Sequence, residues 1–530
     1  MNPQQPIARP HVGRLLALAA VVALLVVLLL AAPPPARGGN DLFLPRATPG
    51  APLPGAPALR QRAVAVNWPA LSPAAREIRL NPFDGLALTA TLERVDRPVG
   101  GGFVWVGRLV GQVDGRVTLS VRGGALAGSV FRQGREWLVI RPAAGDHVVY
   151  ELDPAAREPN GPDVVLPVGG AAGGGSATPQ AAVCQDDGSV IDVLVAYTTQ
   201  ARDEGGGQDA ILALINLRLS DMNTANLVSA APFQWRLVHT MEVGYAESGD
   251  ISADLAALQK PDDGLLDGVH AARDLYRADL SSLLIAQGSN SACGLAYQML
   301  DLDPGFEDEA FGVTALDYPG DFICGALTLS HELGHNLGNA HDRAHAPGDV
   351  LFPYSYGYQS PSGAFRDIMS YDCPGGCPRV NLWSNPDIWY LGEPTGVDFE
   401  TDPANAADLV RSMSEARLTA ANFRNACAAA TPTATATPSD TPTASATPTA
   451  SDTPTASATL TASATPTLTP TTPPTATPTL TTTPTRTLTP TIGPTATATA
   501  TPTRTRRPTR TPPPTATPPT WRAFVPTIIR

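Results

Sequence analysis

The chain is short of positive charge. Its 530 residues hold 36 Lys and Arg against 49 Asp and Glu, a net charge of -13 and a pI near 5.1. That excludes a general binder of nucleic acid or of an anionic membrane, since both demand a basic face. The one cationic cluster, RTRRPTR from Arg504, sits in a low-complexity tail and reads as a solvated run. Cysteine is absent from residues 37 to 183, so any chemistry in that stretch must do without a thiol. Histidine is scarce as well, with eight in the whole chain, and only His147 falls in the β-rich stretch from about residue 60 to 153.

What is present divides the chain. Residues 1–36 contain LLALAAVVALLVVLLLAA, from Leu15 to Ala32, preceded by Arg9, His11 and Arg14; this is an export segment, either a signal peptide or an N-terminal membrane anchor. Residues 37–180 hold short runs such as FVWVGRLV, GRVTLSVRGG, ALAGSVFR, EWLVIRPA and HVVYELD, separated by Gly-containing turns, which predict a small all-β domain. LPVGGAAGGGSATPQAA then reads as a flexible joint, so the β-rich stretch has the layout of a propeptide or accessory module. Residues 428–520 are almost entirely Thr, Pro, Ala and Ser, with SDTPTASATPTA repeated as SDTPTASATLTA; such a tract cannot build a core and suits an extended stalk. The final WRAFVPTIIR, residues 521–530, turns apolar and resembles short terminal sequences that follow Thr/Pro stalks in bacterial surface proteins, which implies attachment to a cell envelope.

Residues 184–427 contain all six cysteines. An even count in an exported domain implies disulfides, though six cysteines leave many connectivities open. The pairs we expect are Cys293 with Cys324, Cys373 with Cys377 and Cys184 with Cys427. The hydrophobic pattern here runs VIDVLVAYTT (strand), AILALINLRLSDMNTANLV (helix with Ile211, Leu212, Ile215, Leu219 and Met222 on one buried face), FQWRLVHTMEV (strand), LLDGVHAARDLYRAD (helix) and LSSLLIAQ (strand). CGLAYQML follows as a short strand at the sheet edge, and FGVTAL as one more. This predicts an α/β (α+β) domain, a mixed and mostly parallel sheet with helices packed on it.

Three of the eight histidines lie in HELGHNLGNAHD, His331 to Asp342. A lone histidine on a helix is usually packed or solvated. His331 and His335, four apart, instead share one helical face as two metal ligands require, and Glu332 can point at a water on the same ion. Gly338 permits the left-handed turn that ends the helix, and His341 can then close a site of three nitrogens. Three protein ligands with a fourth position open is the pattern of a catalytic rather than a structural zinc.

His331, Glu332, His335, Gly338 and His341 match HExxHxxGxxH, and the chain here resembles the metzincin metalloproteases. Asp342 is the residue that the adamalysin or reprolysin branch carries next. FRDIMSYD places Met369 where metzincins have a methionine-containing turn. IDVLVAYT, CGLAY and WSNPDIWYLGEPTG look like blocks of bacterial reprolysin-like enzymes, including those called peptidyl-Asp metalloendopeptidases. The resemblance covers about residues 188 to 426. It implies one catalytic zinc on His331, His335 and His341, with Glu332 as general base and then acid. Gly338, Asp342 and Met369 become structural supports, and Gly294, Leu295 and Ala296 an edge strand that pairs with an extended substrate. Calcium is left open and not predicted. Partners are protein or peptide substrates met outside the cell or at its surface, with no nucleic acid, and the enzyme is a monomer. Many relatives hold themselves latent through a propeptide cysteine on zinc. With Cys184 the only cysteine near enough, and a disulfide its expected role, latency here is expected to be steric. His345 reads as a surface residue. The other class in view is a surface adhesion module that holds zinc structurally on the Thr/Pro stalk; the intact Glu332 argues against it.

Overall fold

In the computed structural model the periodic segments between residues 190 and 318 assemble into one mixed sheet flanked by helices. The structure describes residues 41–45, 58–143, 146–153, 163–167, 185–318 and 322–425. The N-terminal apolar run, the Thr/Pro tract and the expected pairing of Cys184 with Cys427 lie outside them.

The first part of the chain forms β1 (Phe43–Pro45), β2 (Ala58–Val66), β3 (Glu77–Phe83), β4 (Leu86–Asp96), β5 (Phe103–Leu109), β6 (Arg116–Arg122), β7 (Ala125–Arg132), β8 (Arg135–Ala143) and β9 (Asp146–Leu152). They make one antiparallel sheet in the order β1-β2-β9-β8-β7-β6-β5-β4-β3. Leu42 N donates to Arg79 O (2.8 Å), joining the two ends of the sheet, around a core that includes Leu42, Leu80, Trp105, Leu119 and Val149. His147 is buried; its Nε2 accepts from Leu126 N (2.9 Å), and burial lowers its pKa to about 4, so it is a neutral structural acceptor.

Beyond it come β10 (Val164–Val165), β11 (Val190–Thr198), α1 (Thr199–Glu204), α2 (Gln208–Ser229), β12 (Gln234–Val243), α3 (Ile251–Gln259), α4 (Asp267–Tyr276), β13 (Leu280–Gln287), β14 (Gly294–Tyr297), β15 (Phe311–Tyr318), β16 (Phe322–Ile323), α5 (Thr328–Asn336), β17 (Ala340–Asp342), β18 (Tyr356–Gly357) and, near the end, α6 (Leu409–Ala420). The sheet order is β10-β14-β15-β13-β11-β12, with β16 also on β15. β12, β11, β13 and β15 run parallel, and β14 is antiparallel to β15. Helices cover both faces, which is why β11 reads as a nearly unbroken apolar run. Its Ile191, Val193, Val195 and Tyr197 join a core with α2, α5 and α6, while Leu194 and Ala196 join another with α3 and α4.

Two features depart from the sequence reading. β14 is not the outer strand among the described residues: β10, from before the Gly-rich joint, pairs with it in parallel, Val164 opposite Ala296 and Val165 opposite Tyr297. And α2 is buried on two sides rather than one. Its second side packs against β6 and β7, where Asp221 accepts from Thr118 Oγ1 (2.6 Å) and Ser129 Oγ (2.7 Å). Arg94 donates to Ser220 O and Thr224 Oγ1 (both 2.9 Å) at the same seam, and Arg141 pairs with Asp317 (2.7 Å). The β-rich part is thus docked on the α/β part, although the glycines of the joint had suggested a detached module.

Candidate metal centre

Helix α5 carries His331, Glu332 and His335 and packs against β14 and β15, buried along its whole length. It ends in a Schellman motif: Gly338 N donates to His335 O (2.9 Å) and Asn339 N to Gly334 O (3.1 Å). Gly338 has φ +81°, and a Cβ there would stand 2.3 Å from Leu351 Cδ2, so both backbone conformation and space call for glycine. The reversal turns the Asn339 carbonyl toward His335 Nδ1, 2.8 Å away. It also starts β17, which pairs with β18 and carries His341 back over the helix.

The three Nε2 atoms converge, with His331 3.2 Å from His335 and 3.2 Å from His341. A tetrahedral ion with nitrogens at about 2.0–2.1 Å would hold them roughly 3.3 Å apart, so the spacing fits a bound metal. The other ring nitrogens of the two helical histidines are engaged: His331 Nδ1 lies 2.9 Å from Ile368 O and His335 Nδ1 2.8 Å from Asn339 O. A proton on His335 Nδ1, given to the Asn339 carbonyl, leaves its Nε2 lone pair for an ion, while His331 Nδ1 has both the Ile368 carbonyl and Arg379 Nη2 (2.6 Å) within reach. Burial lowers the pKa of His331, with Arg379 adding to it, and drives that of His335 well below the ordinary value, with the two neighbouring imidazoles adding to it. Neutral imidazole is the form that binds a metal.

Glu332 projects beside them toward β14. Its Oε2 is buried with no hydrogen-bond partner, and burial, reinforced by Asp163, raises its pKa well above the usual carboxylate value. Gly294 makes room for it, since a Cβ there would lie 2.1 Å from Glu332 Oε1. Leu295 turns into the core, and the Ala296 N–H faces outward from β14.

The supporting residues tie the turn after α5 to the segment from 366 to 371. Asp342 is buried and accepts from Ala344 N and Tyr371 N (both 3.1 Å), with His345 Nδ1 at 2.9 Å. His345 itself is part-exposed and otherwise lies against the Tyr371 ring. Met369 is fully buried under α5; a Cβ on Gly334 would stand 2.8 Å from its Sδ, so that glycine, between the two helical histidines, lets the sulfur reach the helix backbone. The disulfides Cys293–Cys324 and Cys373–Cys377 form as expected, the first tying the start of β14 to the approach to α5.

One residue escaped the sequence reading. Asp163 places Oδ1 2.7 Å from His341 Nε2 and Oδ2 3.2 Å from His331 Nε2, and Tyr371 Oη donates to Oδ1 (2.6 Å). With the three histidines it completes a group of four side chains that could hold a metal ion. Burial would raise its pKa, but His341 and His331 outweigh that and hold it well below the usual range. The sequence signal was faint: GPDVVLP is an acid followed by an isolated apolar trio in otherwise Gly-, Pro- and Ala-rich chain.

Three convergent imidazoles beside a buried carboxylate are a donor set that fits a metal ion. The chain's relatives agree. Residues 188–397 match the reprolysin-like model of metallo-peptidase family M12B. A peptidyl-Asp metalloendopeptidase of Xanthomonas campestris is 31% identical over 375 residues, covering 68% of this chain and 85% of the relative. Another of that name, from Stenotrophomonas maltophilia, is 31% identical over 367 residues, covering 64% and 81%. The chain belongs to the reprolysin-like metallopeptidases of family M12B and is a metalloendopeptidase.

Proposed function

We propose that the chain is an exported zinc endopeptidase in which His331, His335 and His341 hold the ion and Glu332 is the general base and acid. Zinc, when bound, supplies Lewis-acid polarisation of a water and of the scissile carbonyl. The observation that carries the reading is Glu332 Oε2, a buried acceptor without a partner beside three convergent Nε2 atoms. Buried as it is, its raised basicity suits it to take the water proton, hold it on Oε2 and return it to the leaving nitrogen. An extended substrate lies along β14, its main chain accepting from the outward N–H groups of Ala296 and Gln298. Met369 supports the floor and Asp342 holds the return turn that carries His341. The relatives' name suggests cleavage at aspartate, and we extend that preference to this chain.

Residues 1–36 direct export, 37–180 act as propeptide, 184–427 form the protease, and 428–530 provide a stalk and envelope attachment for a monomeric enzyme. The two disulfides support an oxidising, extracellular location. One observation favours a second reading: with Asp163 the site has four protein donors, the closed set of a structural zinc. Casein hydrolysis by the linker-cut chain, abolished by chelator and restored by zinc, separates the two. Glu332→Gln should keep the metal and lose roughly 10²–10⁴ of the rate; a variant that cleaves at the parental rate overturns the assignment.

A further inference from the structure

Asp163 lies among the three histidines of the metal centre. We infer that Asp163 is a removable fourth ligand, which closes the metal site of the intact chain and opens it when the segment preceding the Gly-rich joint departs. This rests on the reading of the three histidines as metal ligands and specifies how their site is regulated.

Three observations converge on it. The Asp163 carboxylate stands where a fourth donor would, 2.7 Å from His341 Nε2 and 3.2 Å from His331 Nε2, while Tyr371 Oη anchors Oδ1 at 2.6 Å. The main chain around it occupies the outer side of β14: Ala296 N donates to Asp163 O (3.3 Å) and Gln298 N to Val165 O (3.0 Å). These are the N–H groups an extended substrate would use. Finally, the pose is unproductive for cleavage. The Asp163 carbonyl is turned to Ala296 N, so the side chain, and no peptide carbonyl of this residue, meets the histidines. A carboxylate there also displaces the water that Glu332 would deprotonate.

The anchoring extends further. Val165 packs on the core shared with α3 and α4, and Leu166 lies against Gly348, where a Cβ would be 3.3 Å from its Cδ1. The β-rich part that delivers the segment is itself docked on α2 through Asp221 and Arg94. Latency is therefore expected to be ligand-based as well as steric, with an oxygen ligand in place of a thiolate.

The test uses the full-length chain loaded with Co²⁺, whose visible spectrum reports the ligand set, alongside Zn²⁺ release to a chromophoric chelator. Asp163→Asn is nearly isosteric and keeps the main-chain pairing; Asp163→Ala is the second variant. Both should change the cobalt spectrum and release zinc faster by about tenfold or more, while the retained main-chain pairing on β14 keeps casein hydrolysis by the uncut variants low. Parental spectra and release rates in both variants would overturn the inference. The parent cut in the joint is the control for the underlying reading. If that cut chain fails to hydrolyse casein, the peptidase reading falls, while spectrum and release still judge whether Asp163 is a ligand.

Discussion

Replacing Gly338 with alanine tests the reasoning where helix, turn and site meet. The residue has φ +81°, where an L side chain costs about 1–2 kcal/mol. The new methyl would also stand 2.3 Å from Leu351 Cδ2 and 2.9 Å from Leu351 Cβ. The first atom can swing away, but the second moves only with the backbone, an overpacking cost of about 1–3 kcal/mol. Together the variant should lose roughly 2–5 kcal/mol. The loss should not be confined to stability, because the same reversal starts β17 and so aims His341. Zinc affinity, measured by chelator competition, should fall by about 10–100-fold. Adding Leu351→Gly removes both atoms and leaves the backbone strain, so the double variant should show a favourable coupling of about 1–3 kcal/mol in a denaturant-unfolding cycle. A Gly338→Ala chain within about 0.5 kcal/mol of the parent, with unchanged zinc affinity, would refute the account.

Asp342→Ala removes the acceptor for Ala344 N and Tyr371 N and should weaken zinc binding by about 10–100-fold in the same competition assay while leaving the secondary structure seen by circular dichroism intact. Replacing both Cys293 and Cys324 with alanine opens a crosslink of sequence separation 31 and should cost about 3–4 kcal/mol by denaturant unfolding. Docking of the β-rich part should depend on pH through Asp221. Burial raises its pKa to about 6 from an ordinary 3.8, against Arg94, Thr118 and Ser129, which favour the charged form, and Asp96, which opposes it. The docked state therefore binds the proton more tightly, so docking is strongest below about pH 4, weakens as pH rises toward 6 and then levels off. Titrating the dissociation constant of the linker-cut chain should show a total change of about 3 kcal/mol, and Asp221→Asn should abolish the slope.

The legible parts of the chain were those whose pattern has a single physical cause. The continuous apolar run of β11 required cover on both faces, and the i, i+4 histidines followed by a glycine required a helix that stops and turns back. Helix α6 was missed because its apolar positions, Leu409, Val410, Met413, Ala416 and Ala420, are partly alanines that only a tight neighbour makes informative. β2 to β4 were missed in part because strands such as ALRQRAVAV place arginines on an exposed side and break the aromatic, β-branched signature. The second buried side of α2 was hidden for a related reason. Ser220, Asp221 and Thr224 look solvent-facing in sequence, and only the hydroxyls of Thr118 and Ser129 and the guanidinium of Arg94 turn them into a seam. Asp163 lay beyond reach because its role depends on contacts with residues 168 or more positions away, and no local periodicity encodes that.

The composition of that seam has a consequence for the proposed release of the β-rich part. Two surfaces joined by leucines would be sticky once separated, and a free protease bearing such a patch would aggregate. Here the side of α2 under the β-rich part offers hydroxyls and a carboxylate beside small or single apolar residues such as Ala213 and Leu217. Water can replace each hydrogen bond as it opens, and Asp221 recovers its full charge on exposure. The joint is made to hold without being glued, like a mould that can be lifted from the casting.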